Sequence, residues 1–382
     1  MSLEDEVRAE LRALADVHRL RTPRVLDGRQ GVRARVDGVM VTSFASNDYL
    51  GLAGDQRLID AAIEALERDG AGAGASRLIV GNHRTHVALE AAVAEWLGVG
   101  GVRLFNSGYA ANTGVLTTLL REGDVVFSDE LNHASIVDGC RLSRATIAIY
   151  KHRDLGDLER LMKQHAGRRR IVVSETVFSM DGDIVDIEAL AAVTKRGGAS
   201  LVVDEAHAMG VVGIEGRGVA ATCADVAVVI GTFGKALGSF GAFAATTAAI
   251  ADLLWNRARP LVFSTGLPPI VAAASTRAIR IARSGEGDER RAKLQAITQR
   301  FRACVPQAGG GLEIPIASWV IGDDARVVEI GAQLVREGIL VASVRPPTVP
   351  VGTARLRISF SAAHELEDSI HLTTITRRVI KG

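Results

Sequence analysis

Thr232-Phe233-Gly234-Lys235-Ala236-Leu237-Gly238 follows an apolar run, Val226 to Ile230, that reads as a buried strand. One lysine stands there among small residues, with Gly231, Gly234, Gly238 and Gly241 around it. Glycine lets backbone approach a ligand closely and accepts positive φ. A lysine in such surroundings is a candidate amine nucleophile, because desolvation disfavours its ammonium form. Thr232 adds a hydroxyl three residues earlier, suited to an anion such as phosphate. A lysine after a strand is more often a solvated loop residue. This stretch is also not a P-loop: Val229 stands where the first glycine belongs and Ala236 follows the lysine.

A second stretch changes the balance. Leu201-Val202-Val203 is another buried-strand run, and it ends in Asp204-Glu205-Ala206-His207. A carboxylate just past a parallel strand lies at the carboxyl edge of the sheet, where α/β proteins bind ligands. A lysine for a Schiff base and an aspartate for a pyridinium nitrogen are what pyridoxal phosphate chemistry needs.

The totals narrow the class. With 382 residues there is room for a large core and more than one domain. Basic residues number 45 and acidic residues 44, with no basic block, which argues against nucleic acid or a membrane as partner. No apolar run approaches the roughly 18 residues of a membrane span. The N-terminus, Met1-Ser2-Leu3-Glu4-Asp5-Glu6, is acidic and is not read as a signal peptide. Cys140, Cys223 and Cys304 are scattered and odd in number, as fits a reducing cytoplasm and no metal framework.

Periodicity predicts a helix over 3–20, strands at 33–36 and 39–44 around Asp37-Gly38, and helices at 58–68 and 87–97. The glycine-rich run Gly70 to Arg77 reads as a packed loop rather than a linker. Strands are predicted at 102–105, 125–128, 145–150, 171–175, 201–204, 226–230 and 242–246, with helices near 109–120, 155–165 and 187–196. Such alternation predicts an α/β class fold with a mostly parallel seven-stranded sheet and helices on both faces. Beyond Pro260, Pro268 and Pro269 the pattern becomes helix-rich to about 305. Then come strands at 316–321, 340–344 and 356–360, with helices at 325–337 and from 365, an α+β arrangement. The expected domains are 1–45 (N-terminal helix and short strands), 46–270 (large cofactor domain) and 271–382 (smaller α+β C-terminal domain).

Further polar groups gather at strand ends. Gly108 in Asn106-Ser107-Gly108-Tyr109 precedes a helix whose first N–H groups suit a phosphate; taken alone, Tyr109 reads as packing. His133 follows one strand and is placed to stack on a flat ring, or else caps a helix. Glu175 and Ser179 follow another, in a stretch whose Asp181-Gly182 reads as a turn. His207 suits a ring or its phenolic oxygen. Asp204 and His207 as metal ligands is the weaker reading, because no third ligand is spaced for it. Arg345, Arg355 and Arg357 are candidates for gripping a carboxylate bidentately; alternation puts Arg355 and Arg357 on one face, so spacing does not choose between them.

The motifs Asn47-Asp48-Tyr49-Leu50-Gly51, Asp204-Glu205-Ala206-His207, Thr232-Phe233-Gly234-Lys235 and Ser361-Ala362-Ala363-His364 span nearly the whole chain. On them the sequence resembles the α-oxoamine synthases, fold-type I pyridoxal phosphate (PLP) transferases of the aspartate aminotransferase-like fold. The stretch Arg345-Pro346-Pro347-Thr348-Val349-Pro350-Val351-Gly352-Thr353-Ala354-Arg355-Leu356-Arg357 resembles the branch that joins L-alanine to a pimeloyl thioester, with coenzyme A or an acyl carrier protein as carrier. The resemblance implies that Lys235 holds the cofactor as a Schiff base and moves the α-proton, and that Asp204 keeps the pyridinium protonated. It implies that His133 stacks on the ring, and that Ser179 and His207 contact the cofactor. Gly108, Tyr109 and Thr232 would surround the phosphate, with Ser264 or Thr265 reaching the neighbouring subunit's phosphate in a homodimer with shared sites. Arg357 would take the amino-acid carboxylate, Asn47 would lie near it, and Arg21, Thr348 and Arg345 would line the substrate site. The alternatives are a sister activity using glycine or serine, or a non-catalytic subunit of the same fold; retention of Lys235 argues against the latter.

Overall fold

The structure, a computed structural model, describes residues 2–381. The chain forms two compact units. One comprises Met1–Gly51, Met180–Gly182 and Ala292–Gly382; the other comprises Leu52–Ser179 and Asp183–Arg291.

The larger unit is built on seven strands: β1 (Gly101–Phe105), β2 (Val125–Asp129), β3 (Thr146–Tyr150), β4 (Arg170–Glu175), β5 (Ser200–Asp204), β6 (Val226–Thr232) and β7 (Ala242–Thr246). Their order across the sheet is β1-β7-β6-β5-β4-β2-β3. All neighbours are parallel except those of β7, which runs antiparallel to both β1 and β6. The inner strands are largely apolar because both faces are covered, while the edge strand β3 leaves Thr146, Ile147 and Ile149 exposed. Val126, Val173, Val202 and Ile230 pack on one face with Val115 and Leu116 of the helix Gly108–Leu119 and Ile136 of the helix Ala134–Ser143. Phe127, Val172, Leu201 and Val203 pack on the other with Leu158 of Leu155–Gln164 and Leu190 of Ile187–Arg196. In the parallel register Asp204 lies beside Glu175. Both therefore reach the same carboxyl edge, the edge at which parallel sheets present ligand sites.

Two helices beyond those predicted complete this unit, Ala134–Ser143 and Ala248–Arg257, together with a short turn of helix at Arg259–Val262. The first is capped by His133 rather than by one of the usual small polar residues.

In the smaller unit a three-stranded antiparallel sheet, ordered Ile316–Gly322, Ala354–Ser359, Ala342–Val344, packs with the helix Asp324–Arg336. The predicted strand 340–344 is two pieces. Ile339–Leu340 pairs parallel with Val39–Ser43, and Ala342–Val344 joins the other sheet, so Val341 marks the switch. The N-terminal helix ends at Asp16 rather than 20, because His18 turns into a left-handed conformation at φ 56° and the Arg19 and Leu20 amides bond back to Leu14. Among the described residues no helix is long and apolar enough to cross a membrane.

Candidate active site

Lys235 lies in the connection between β6 and β7. The connection is closed on itself by Phe233 N–H to the Gly241 carbonyl (2.9 Å) and Ser239 N–H to the Phe233 carbonyl (2.8 Å). Gly238 has φ 61°, and a Cβ there would come within 2.3 Å of the Ala53 nitrogen, so only glycine fits. Held this way, Lys235 Nζ sits 2.7 Å from His207 Nε2. Thr232 closes β6 with its hydroxyl donating to the Gly241 carbonyl (2.9 Å) and accepting from Gly234 N–H (3.1 Å).

Asp204 ends β5 and is nearly buried, at 6% exposure. Its Oδ1 accepts from Ala206 N–H (2.8 Å) and its Oδ2 from Asn112 Nδ2 (2.6 Å). Asn112 also donates to Ser135 Oγ (3.0 Å), which lies 2.7 Å from His133 Nδ1. Burial pushes His133 below its ordinary pKa, with the Asp204 charge opposing. Glu175, beside Asp204, is pushed up to about 8. Burial is the main cause and the Asp204 carboxylate adds to it, while Lys235 and the backbones of His133 and Ser179 pull the other way. Glu205, also buried, is pushed up to about 7 by burial against the N–H groups of Val219 and Ala220 that it accepts.

Ser179 occupies the turn after β4. The far end of that turn is held by His152, whose ring nitrogens bond Asp129 Oδ1 (2.9 Å) and Asp183 Oδ2 (2.7 Å). Burial disfavours the His152 cation, but the two carboxylates outweigh it and raise the group to about 9. Gly108 opens its helix with Ser107 as cap, the Ser107 hydroxyl accepting from Ala110 N–H (3.1 Å). Among the described residues a Cβ on Gly108 would meet nothing within 4 Å, so the helix start faces open space. Tyr109 directs its hydroxyl to Asp138, which raises its pKa. Thr265 is exposed and bridges to Ser76, its carbonyl accepting from Asn106 Nδ2 (2.9 Å).

The remaining candidates lie in the smaller unit, in two groups. Arg357, buried on Ala354–Ser359, donates to Ser359 Oγ (2.8 Å), Asn47 Oδ1 (3.1 Å) and Tyr49 OH (3.4 Å). Arg355 is instead ion-paired with Asp181 and bonds the Thr353 carbonyl (3.0 Å). The two arginines that spacing left equivalent thus have different partners: Arg357 bonds Ser359, Asn47 and Tyr49, while Arg355 pairs with Asp181. Arg21, Arg345 and Thr348 line a cavity of about 550 Å³ whose walls include Leu20, Val328, Leu340 and Val344. There Arg21 Nη2 donates to Thr348 Oγ1 (3.0 Å) and Arg345 Nη1 to the His18 carbonyl (2.6 Å).

Asn112, Ser135 and Tyr49 escaped the sequence reading as site residues. A polar amide in the apolar helix 108–119 was the available signal for Asn112.

The donor set fits pyridoxal phosphate. There is an amine beside an imidazole, a buried carboxylate on the neighbouring strand, and an open helix N-terminus for an anion. Comparisons with known proteins agree. The model of the family "Aminotransferase class I and II" matches residues 39–374. An 8-amino-7-oxononanoate synthase of Geobacter metallireducens is 46% identical over 369 residues, covering 95% of this chain and 94% of that protein. A serine palmitoyltransferase solved with PLP superposes with a TM-score of 0.93 at 30% identity, over 99% of this chain and 98% of that one. An 8-amino-7-oxononanoate synthase from Francisella tularensis superposes with a TM-score of 0.76 at 28% identity, over 89% and 98%.

Proposed function

Since the chain belongs to the class I and II aminotransferase family and, within it, to the 8-amino-7-oxononanoate synthases, we propose that it joins L-alanine to a pimeloyl thioester in biotin biosynthesis. The α-carbon of alanine bonds to the thioester carbonyl and the C–S bond breaks, releasing the thiol carrier. Loss of the alanine carboxylate as carbon dioxide leaves 8-amino-7-oxononanoate. The observation that carries this reading is the Lys235–His207 contact at the sheet edge that also holds Asp204.

PLP is the cofactor; when bound it supplies an aldehyde for an amine and an electron sink for the pair left as the α-proton departs. Lys235 is the amine that would hold it, and once freed its Nζ takes the α-proton. Asp204 is the carboxylate that would keep the pyridine nitrogen protonated, and its two hydrogen bonds hold it oriented. His207 orients Lys235 and would meet the phenolic oxygen. His133 is the group that would stack on the ring and would hydrogen-bond the new carbonyl or the departing carboxylate. Gly108, Tyr109 and Thr232 would hold the phosphate, and Ser179 would support the ring.

Arg357 is the group for the alanine carboxylate: Ser359, Asn47 and Tyr49 accept its hydrogen bonds and hold the guanidinium oriented. The cavity with Arg21, Thr348 and Arg345 has apolar walls for methylenes and cations for a distal carboxylate, the chemistry of a pimeloyl chain. The carrier is coenzyme A or an acyl carrier protein. The enzyme acts in the cytoplasm as a homodimer with shared sites. What supports the dimer is an exposed apolar group at Ile79, Val80 and Phe263, near which Thr265 bridges to Ser76.

Product identification tests the proposal. With alanine and pimeloyl-CoA, mass spectrometry should find 8-amino-7-oxononanoate with stoichiometric thiol release. Activity confined to glycine or serine would reject it in favour of a sister condensation.

A further inference from the structure

Asn112 and Ser135 take no part in the chemistry above, yet they are 1% and 0% exposed and connect two groups that do. An amide nitrogen carries two hydrogens. Asn112 Nδ2 directs one at Asp204 Oδ2 (2.6 Å) and the other at Ser135 Oγ (3.0 Å). Turning the amide over would set its oxygen against the Asp204 carboxylate, so charge selects the orientation. The other end, Asn112 Oδ1, is buried and has no hydrogen-bond partner among the described residues. That is an unfavourable arrangement for a residue kept for packing alone.

Ser135 Oγ, having accepted from Asn112, has its own hydrogen to give, and His133 Nδ1 lies 2.7 Å away. Ser135 N–H points at the same nitrogen (3.3 Å). Two donors aimed at Nδ1 make it an acceptor, and a neutral imidazole then carries its hydrogen on Nε2. Burial of His133, which favours the neutral ring, agrees.

We propose that Asn112 and Ser135 are positioning residues that set the tautomer of His133, so that the Asp204 carboxylate, through Asn112 and then Ser135, presents His133 Nε2–H as the donor for the reacting carbonyl. The proposal rests on the placement of His133 at the cofactor ring and deepens that reading. It makes the aspartate and the histidine one oriented unit rather than two independent contacts.

The test is nitrogen NMR of histidine-labelled holoenzyme, with kinetics alongside. In the unsubstituted protein His133 should show the Nε2–H tautomer. Ser135→Ala should mix the tautomers and lower kcat roughly tenfold or more, with cofactor affinity and the KM for alanine within about threefold. Ser135→Thr, which keeps the hydroxyl, should restore both. An Nδ1–H tautomer in the unsubstituted enzyme overturns the proposal without recourse to any variant, as does a Ser135→Ala enzyme with unchanged tautomer and kcat. The tautomer is read independently of which acyl donor is used, so a wrong substrate assignment leaves this result standing.

Discussion

Lys235 Nζ and His207 Nε2 are 2.7 Å apart, a separation at which one proton lies between two nitrogens. The contact with the imidazole fixes where the amine points. Lys235→Ala should lower kcat by about a thousandfold or more and leave nothing for borohydride to trap. His207→Ala should lower kcat by about ten- to a hundredfold while trapping persists. Full turnover by the Lys235 variant would assign the amine's role elsewhere.

Asp204 is nearly buried and accepts two hydrogen bonds, so its replacement by asparagine keeps the shape and removes the charge. The Asp204→Asn enzyme should retain cofactor while exchange of the alanine α-proton with deuterated water slows by about a hundredfold. Exchange at the normal rate would show that the charge does not matter to proton removal.

Arg357 and Arg355 should separate cleanly on substitution. Arg357→Ala is expected to raise the KM for alanine by about tenfold to a hundredfold, the loss of a charge-assisted pair. Arg355→Ala deprives Asp181 of its partner and should lower stability by about 1–3 kcal/mol instead. Steady-state kinetics and urea unfolding on both variants decide; the reverse pattern would exchange their roles.

Glu175 sets a pH dependence of folding. Its pKa rises from 4.5 to about 8 in the fold. The native state therefore holds a proton that the unfolded chain has already released across that window. Stability from this group is complete below 4.5 and is lost as pH rises through about 8. Glu175→Gln has no such proton to lose. Its stability relative to the parent should climb between about pH 4.5 and about pH 8 by on the order of 5 kcal/mol. Urea unfolding at several pH values measures this, and a flat difference would mean that Glu175 is ionised in the native protein.

The parallel sheet and its polar edge were readable because each signal is local. An apolar run ending in Asp204 or preceding Lys235 announces both the strand and its end. What escaped depended on partners distant along the chain. Asn112 looks like one polar residue in an apolar helix until Asp204 is beside it. Arg355 and Arg357 are equivalent by alternation and are distinguished by Asp181 and Asn47, from two remote turns. His133 reads as a candidate helix cap, but the helix Ala134–Ser143 that it caps has a weak pattern, interrupted by Gly139. The stretch 340–344 has one uninterrupted β pattern, and only the competing edges of two sheets divide it.

The place of β7 bears on how the molecule comes into being on the ribosome. β1 has a single neighbour, and that neighbour is the last of the seven strands to be synthesised. Until Ala242–Thr246 emerges, β1 has no partner in the sheet and the lysine loop has no second arm. Cotranslational folding can assemble β2 to β6 early, but the reactive amine is secured only when this late strand is inserted. A nascent chain halted before residue 242 would hold Asp204 and Lys235 and still be incompetent, with an unsatisfied strand exposed to chaperones and to aggregation.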